Sequence, residues 1–282
     1  AAPANITLAL GATPVFADVD PGHWCLDPEQ VASLITPKTK AIVAVHTYGN
    51  VCDMDTLVAL GDRHGVPVVE DTAEALFSRY RGRWAGAIGD VGCLSFQATK
   101  TITTGEGGAV MTADDERADL MRLIRNHGMR ERRYFHTVVG HNFRLTNLQA
   151  ALGCAQLDKL DEILAAKERV YQGYCERLSD LEGVTLQGFC EGVDPVVWVT
   201  GVRLDPDAFG ARDEVMATMS EAGVETRPGF YPFHTMPIYP DAPVLPVSED
   251  LAQRVITLPS HFGLGPESVA RVCDVLQAAR RS

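Results

Sequence analysis

Asp71 and Lys100 are the two residues whose types and settings point to chemistry. Asp71 closes the run Val66-Pro67-Val68-Val69-Glu70-Asp71, and Lys100 comes shortly after Val91-Gly92-Cys93-Leu94-Ser95-Phe96. A lysine set among Thr99, Thr101 and the glycines of Gly105-Glu106-Gly107-Gly108 can be held partly out of water. A desolvated amine loses proton affinity and becomes a nucleophile for carbonyls. A carboxylate at the end of a neighbouring strand can keep a pyridine nitrogen protonated and so make the ring an electron sink. Lysine and aspartate in this arrangement are what pyridoxal phosphate (PLP) chemistry requires. Taken singly, each has a plainer reading. A lysine after a strand is a solvated surface residue, and a strand-end aspartate caps a helix or turn.

The elements around them decide between these readings. Pro14 to Val19 and Ala41 to Val45 read as short apolar strands, the second unbroken as in a strand covered on both faces. Asp27-Pro28-Glu29 is a helix cap with a proline in the first turn, and Val31, Leu34 and Ile35 follow at helical spacing. A helix from Asp55 to His64 ends at Gly65, and strands are expected at Val66–Asp71, Val91–Phe96 and Ala109–Thr112. Strand–helix–strand order with short connections predicts a mostly parallel sheet with helices on its faces. In such sheets the residues just past the strands' carboxyl ends line the ligand site. Asp114 to His127 reads as a helix stopped by Gly128, and Leu145 to Leu178 as a long helical stretch broken once. Beyond Gly183 come a strand at Pro195–Val199, a helix from Arg212 to Ala222, a loop rich in aromatics and prolines from Glu225 to Pro240, and a closing helix from Pro266 to Ala279. The boundary between a large domain (1–155) and a smaller one (156–282) is expected within the long helical stretch.

Composition narrows the class. The 282 residues are 46% hydrophobic and 22% charged, which predicts a packed core. The net charge of −12 disfavours a nucleic-acid backbone or an anionic membrane as partner. No apolar run reaches the ~20 residues that span a bilayer. Seven scattered cysteines, odd in number and never in a C-x-x-C pair, point to reduced thiols in a cytoplasm, and no histidine pair has a metal-ligand spacing. Arg227, Tyr231 and His234 share one loop and are candidates for substrate contact. The planar fork of Arg227 suits a carboxylate or a diphosphate. His46 and Tyr48 follow a strand end and border the same region.

Several blocks in order then carry a resemblance that spans nearly the whole chain. They are Val68-Val69-Glu70-Asp71-Thr72-Ala73-Glu74-Ala75, Gly89-Asp90-Val91-Gly92-Cys93-Leu94-Ser95-Phe96, Lys100 with Gly105-Glu106-Gly107-Gly108, Arg125-Asn126-His127-Gly128, Gly140-His141-Asn142-Phe143-Arg144-Leu145, and Glu225 to His234. In these the sequence resembles the DegT/DnrJ/EryC1/StrS nucleotide-sugar aminotransferases. The resemblance implies an α/β PLP-dependent transferase of fold type I, with a mostly parallel large domain and a smaller α+β C-terminal domain. It further implies that Lys100 carries the cofactor in a Schiff-base link and shuttles the proton, that Asp71 pairs with the ring nitrogen, and that Ser95 donates to the phosphate. Asn142 would reach the phosphate from the other subunit of a homodimer, and Glu74 would lie near the ring. Glutamate would be the amino donor and a nucleotide-linked keto sugar the acceptor, with a GDP-linked 4-keto-6-deoxymannose the acceptor implied most specifically.

Rival readings remain on the same fold. Sugar dehydratases replace the lysine by histidine, and position 100 is Lys. A non-catalytic regulator is opposed by the intact set Asp71, Ser95, Lys100 and Asn142. The chain opens without Met on a helix already under way, Ala1 to Leu10, that stops at Gly11. An N-terminal portion is therefore expected upstream, roughly 90 residues on the resemblance, to close the α/β layering. That portion would bring a Ser-Gly-Thr phosphate cradle and an aromatic residue stacked on the ring. Without it, the 282 residues are expected to bind PLP weakly and to expose apolar surface.

Overall fold

The computed structural model describes residues 2–281. After helix α1 (Ala2–Ala9) and α2 (Pro28–Leu34), the chain alternates β1 (Ile42–Val45), α3 (Met54–His64) and β2 (Val68–Asp71). A short hairpin, β3 (Arg79–Tyr80) and β4 (Arg83–Trp84), leads to β5 (Val91–Ser95), β6 (Gly108–Met111) and α4 (Asp115–Arg125). Strands β1, β2 and β5 lie side by side in parallel, and β6 returns antiparallel beside β5. The helix ends follow local chemistry. Asp27, Asp53 and Asp114 each accept a backbone N–H of the following first turn, and Gly65 closes α3 in the left-handed conformation, where a side chain is costly.

The long helical stretch is two helices, α5 (Asn147–Leu157) and α6 (Leu160–Leu178), parted at Asp158–Lys159. Beyond it lie β7 (Val184–Leu186), β8 (Val193–Asp194), β9 (Thr200–Leu204), α7 (Pro206–Phe209), α8 (Arg212–Glu221), β10 (Arg227–Pro228), α9 (Pro246–Arg254), β11 (Val255–Leu258) and α10 (Pro266–Ala278). Here the order β10-β11-β9-β7 is antiparallel throughout. The core of this half joins Tyr174, Leu178, Val202, Met219, Ile256 and Leu276, whereas that of the first half joins Ile42, Ala44, Met54, Leu57 and Val68. No helix among the described residues is long and apolar enough to cross a membrane.

Two expected strands differ. Pro14–Val19 forms no strand beyond an isolated bridge from Val19 to Leu26. Its Asp18 carboxylate instead accepts the Val247 and Ser248 N–H groups and the Ser248 hydroxyl at the start of α9, and Phe16 stacks on Phe233. Pro195–Val199 is also irregular. Trp198 donates its N–H to the Tyr48 carbonyl and its own carbonyl accepts from Lys167, so pairing begins only at Thr200.

Within β2, alternate residues face opposite sides, and Glu70 is fully buried on the core side. Its carboxylate accepts from Gly86 N at 2.8 Å and from Ile88 N and Gly89 N at 2.7 Å each. His46 Nδ1 accepts the Cys52 N–H, so Nε2 carries the ring proton and donates it to Glu70 at 3.0 Å. Burial opposes ionisation of Glu70, but the His46 bond and these backbone donors outweigh it and hold its proton affinity below the ordinary value. Glu70→Gln should therefore cost about 2–3 kcal/mol of unfolding free energy at pH 7, measured by urea titration. A depressed carboxylate stabilises above its unfolded value near 4.5, so the difference from wild type should shrink as pH falls below that point.

Candidate active site

The three parallel strands bring their carboxyl ends to one edge. Register aligns Val45 with Asp71, and Asp71 with Cys93, two residues before Ser95. The chain after Ser95 leaves the sheet in a loop cinched by backbone bonds, Phe96 N–H to Gly107 and Thr104 N–H to Phe96, before β6 starts. Lys100 lies on that loop. Its position at the strand edge thus follows from the antiparallel return of β6, which forces a tight reversal directly beyond β5.

Lys100, Asp71 and Glu74 lie within electrostatic reach of one another. Burial lowers the proton affinity of the Lys100 amine, while the charges of Glu74 and Asp71 pull it back up; the net shift is downward. Glu74 is pushed up to about 7, by burial first, with Lys100 and the Tyr48 N–H opposing and Asp71 adding to the rise. Its Oε2 accepts the Tyr48 N–H at 3.1 Å. The carboxylate of Asp71 accepts the Ala73 N–H at 3.1 Å. Ser95 Oγ accepts the Gln97 N–H at 3.3 Å and keeps its own proton free to donate.

The other candidates lie apart. Asn142 is exposed in the irregular segment before α5, where its side-chain oxygen accepts from Arg144 at 3.3 Å. Arg227 is exposed and pairs with Glu225 at 3.6 Å, and Tyr231 is exposed. His234 hydrogen-bonds Glu249 through Nε2 at 2.8 Å, leaving a buried Nδ1 without a partner. Among the described residues none of these four shares a hydrogen bond or ion pair with Lys100, Asp71 or Glu74. The expected loop is in fact β10, which carries Arg227, followed by an irregular stretch with Tyr231 and a short turn that carries His234. This segment is nevertheless tied to the cluster, because its Phe230 ring lies 5.3 Å from that of Tyr48, which holds Glu74.

Three participants escaped the reading of the sequence. Trp198 brings its ring to 3.7 Å from Lys100 Nζ, Lys167 grips the Trp198 carbonyl, and Glu70 sits directly beside Asp71 in β2. Only Glu70 left a signal, as a carboxylate at a core-facing position of an apolar strand.

The donor set fits PLP on chemical grounds. A partly desolvated amine suits the aldehyde, a strand-end carboxylate suits the pyridine nitrogen, and a hydroxyl with a free proton suits the phosphate. The fold itself is that of the type I PLP-dependent transferases. A family model for the DegT/DnrJ/EryC1/StrS aminotransferase family matches residues 1–277. The chain is 43% identical to a GDP-perosamine synthase of Caulobacter vibrioides over 279 residues, 98% of this chain and 75% of that one. It superposes on S. venezuelae DesV, solved in complex with a ketimine intermediate, with TM-score 0.93 and 37% identity, over 100% of this chain and 76% of that one. Helicobacter pylori PseC, an aminotransferase involved in the biosynthesis of pseudoaminic acid, gives TM-score 0.93 and 29% identity, over 98% and 76%. The chain belongs to the DegT/DnrJ/EryC1/StrS aminotransferase family and is an enzyme of its PLP-dependent sugar aminotransferases.

Glu74 gives a direct electrostatic test. Carboxyl titration by carbon-13 NMR, assigned with Glu74→Gln, should find its midpoint near 7. The midpoint should rise in Lys100→Ala, which removes the opposing positive charge, and fall in Asp71→Asn, which removes a like charge.

Proposed function

We propose that the chain moves an amino group from glutamate to the ketone of a nucleotide-linked sugar, with PLP bound to Lys100 and GDP-4-keto-6-deoxymannose as the acceptor, giving GDP-perosamine. The observation that carries this reading is the meeting of a desolvated Lys100 with Asp71 and Glu74 at the strand edge. The choice of sugar is supported by the GDP-perosamine synthases of Caulobacter vibrioides and Escherichia coli O157:H7, at 43% and 38% identity.

When bound, PLP supplies a carbonyl for amines and a ring that accepts electrons from the bond broken at the donor's α-carbon. Asp71 keeps the ring nitrogen protonated and so preserves that capacity. The Lys100 amine, low in proton affinity, would take the proton from the donor's α-carbon and hold it for return. Ser95 donates to the phosphate. Arg227 receives a carboxylate or diphosphate in its planar fork. His234, held by Glu249 through Nε2, would border the substrate side of this region.

The working unit we propose is a cytoplasmic homodimer with shared sites, divided into domains 1–155 and 156–282; the separation of the two largest core clusters supports that division, while two smaller clusters bridge the halves. The segment around Asn142 leaves Tyr134, Val139, Phe143 and Leu148 70–90% exposed, a run of apolar side chains that a second copy would cover. Asn142 from that copy would then reach the phosphate.

Supplying glutamate and a panel of nucleotide-linked 4-keto sugars, and following 2-oxoglutarate, tests the reading. Lys100→Ala should lose at least about a thousandfold in rate while keeping wild-type circular dichroism, because both the covalent link and the proton carrier are gone. Mixing Lys100→Ala with Asn142→Ala should restore part of the activity, since one site of each mixed dimer regains both residues. Wild-type turnover by Lys100→Ala contradicts the assignment, and silent mixtures in which heterodimers demonstrably form contradict the shared site.

A further inference from the structure

Trp198 occupies an irregular stretch between β8 and β9, yet it is fixed at three points. Its backbone N–H donates to the Tyr48 carbonyl at 3.0 Å. Its carbonyl accepts from Lys167 Nζ at 2.5 Å, and the same ammonium donates to the Ser260 carbonyl at 2.7 Å. Its indole Nε1–H donates to the carbonyl of Thr99 at 2.6 Å. Thr99 is the residue immediately before Lys100, and the face of the same indole lies 3.7 Å from Lys100 Nζ. One side chain therefore holds both the peptide that carries Lys100 and the amine at its tip.

Lys167 is the anchor of this arrangement. It is buried on α6, and burial pushes its amine down to about 8. An ammonium held in the interior persists only where carbonyls repay its desolvation, and here two do. Those carbonyls belong to the stretch carrying Trp198 and to the chain just past β11, so α6 locks the indole to the strands of the C-terminal half.

We infer that Trp198 is a positioning residue for Lys100, its indole face seating the free amine and its indole N–H fixing the loop that bears it. The inference rests on the reading of Lys100 as the reactive amine and deepens it. An amine that alternates between a covalent link and the free state needs a place to go when released. The indole offers one that attracts the ammonium without hydrogen-bonding the nitrogen, so the lone pair is unencumbered once the proton leaves. Glu74 and Asp71 are the charged groups facing Lys100. Their pull on the proton and that of the ring act together against burial.

The ring's contribution has a sign and a size. Loss of a cation–π contact at a half-buried site should lower the Lys100 midpoint by about half to one pH unit. The measurement is the pH dependence of reductive methylation at Lys100 in the full chain freed of cofactor, read by mass spectrometry of the Lys100 peptide, with Lys38 as the internal control. Midpoints should fall in the order wild type, Trp198→Phe, Trp198→Leu, because phenylalanine keeps a weaker aromatic face and leucine keeps none. If the leucine variant does not fold, the smaller fall in Trp198→Phe decides the matter. Midpoints equal to wild type in the folded variants overturn the role of the indole, whatever the activity of Lys100→Ala. An active Lys100→Ala enzyme overturns the assignment of the amine and leaves the titration result standing.

Discussion

A single buried carboxylate organises the edge on which the site is built. Glu70 satisfies three backbone N–H groups that approach β5 and one histidine that follows β1. Without an anion there, four donors would converge on an apolar interior with no acceptor, at a cost of about 1–3 kcal/mol for each donor left unpaired. The knot ties the end of β1 and the approach to β5 to β2, and the residue next to it is Asp71. Close approach is part of the same constraint. A Cβ on Gly92 would collide with the Gly86 carbonyl oxygen, so only glycine lets this turn lie against β5.

With the edge fixed, the electrostatics of the cluster are a contest that burial wins at both Lys100 and Glu74. Two carboxylates beside one lysine would, in water, keep the lysine charged and both acids ionised. Partial desolvation weakens the lysine's hold on its proton and leaves Glu74 titrating near neutrality. A group poised near the working pH, beside an amine whose proton affinity is lowered, suits a site that must move protons in both directions. The plainer reading of Lys100 as a solvated surface residue fails for that reason: the amine is half-buried and seated on an aromatic face.

Much of the first half was legible because its signals are local. An unbroken apolar run at Ala41–Val45, aspartates as helix caps and Gly65 as a stop each act through neighbours in sequence. Pro14–Val19 was misread because its Asp18 is committed to the start of α9, far along the chain, and no local pattern records that contact. Pro195–Val199 has the composition of a strand, but the demands of Tyr48 and Lys167 on the Trp198 backbone override it. Strand β11 went unseen because Val255–Leu258 adjoins α9 without a turn residue between them. Of the candidate site, Asp71, Glu74 and Lys100 were named from motif; parallel register puts Asp71 at the strand edge, and the connection from β5 to the antiparallel β6 puts Lys100 there. Trp198 and Lys167 act through contacts between distant segments, and their residue types advertise nothing.

The central claim is that Lys100 is the amine that engages the cofactor's carbonyl at this edge. Incubating the chain with PLP, reducing with borohydride and mapping the phosphopyridoxyl group by peptide mass spectrometry tests it most directly. The account predicts that the group appears on Lys100, disappears in Lys100→Ala, and is not taken over by Lys167 or any other lysine. A stable adduct on another lysine, or equal labelling of Lys100→Ala and wild type, would contradict it.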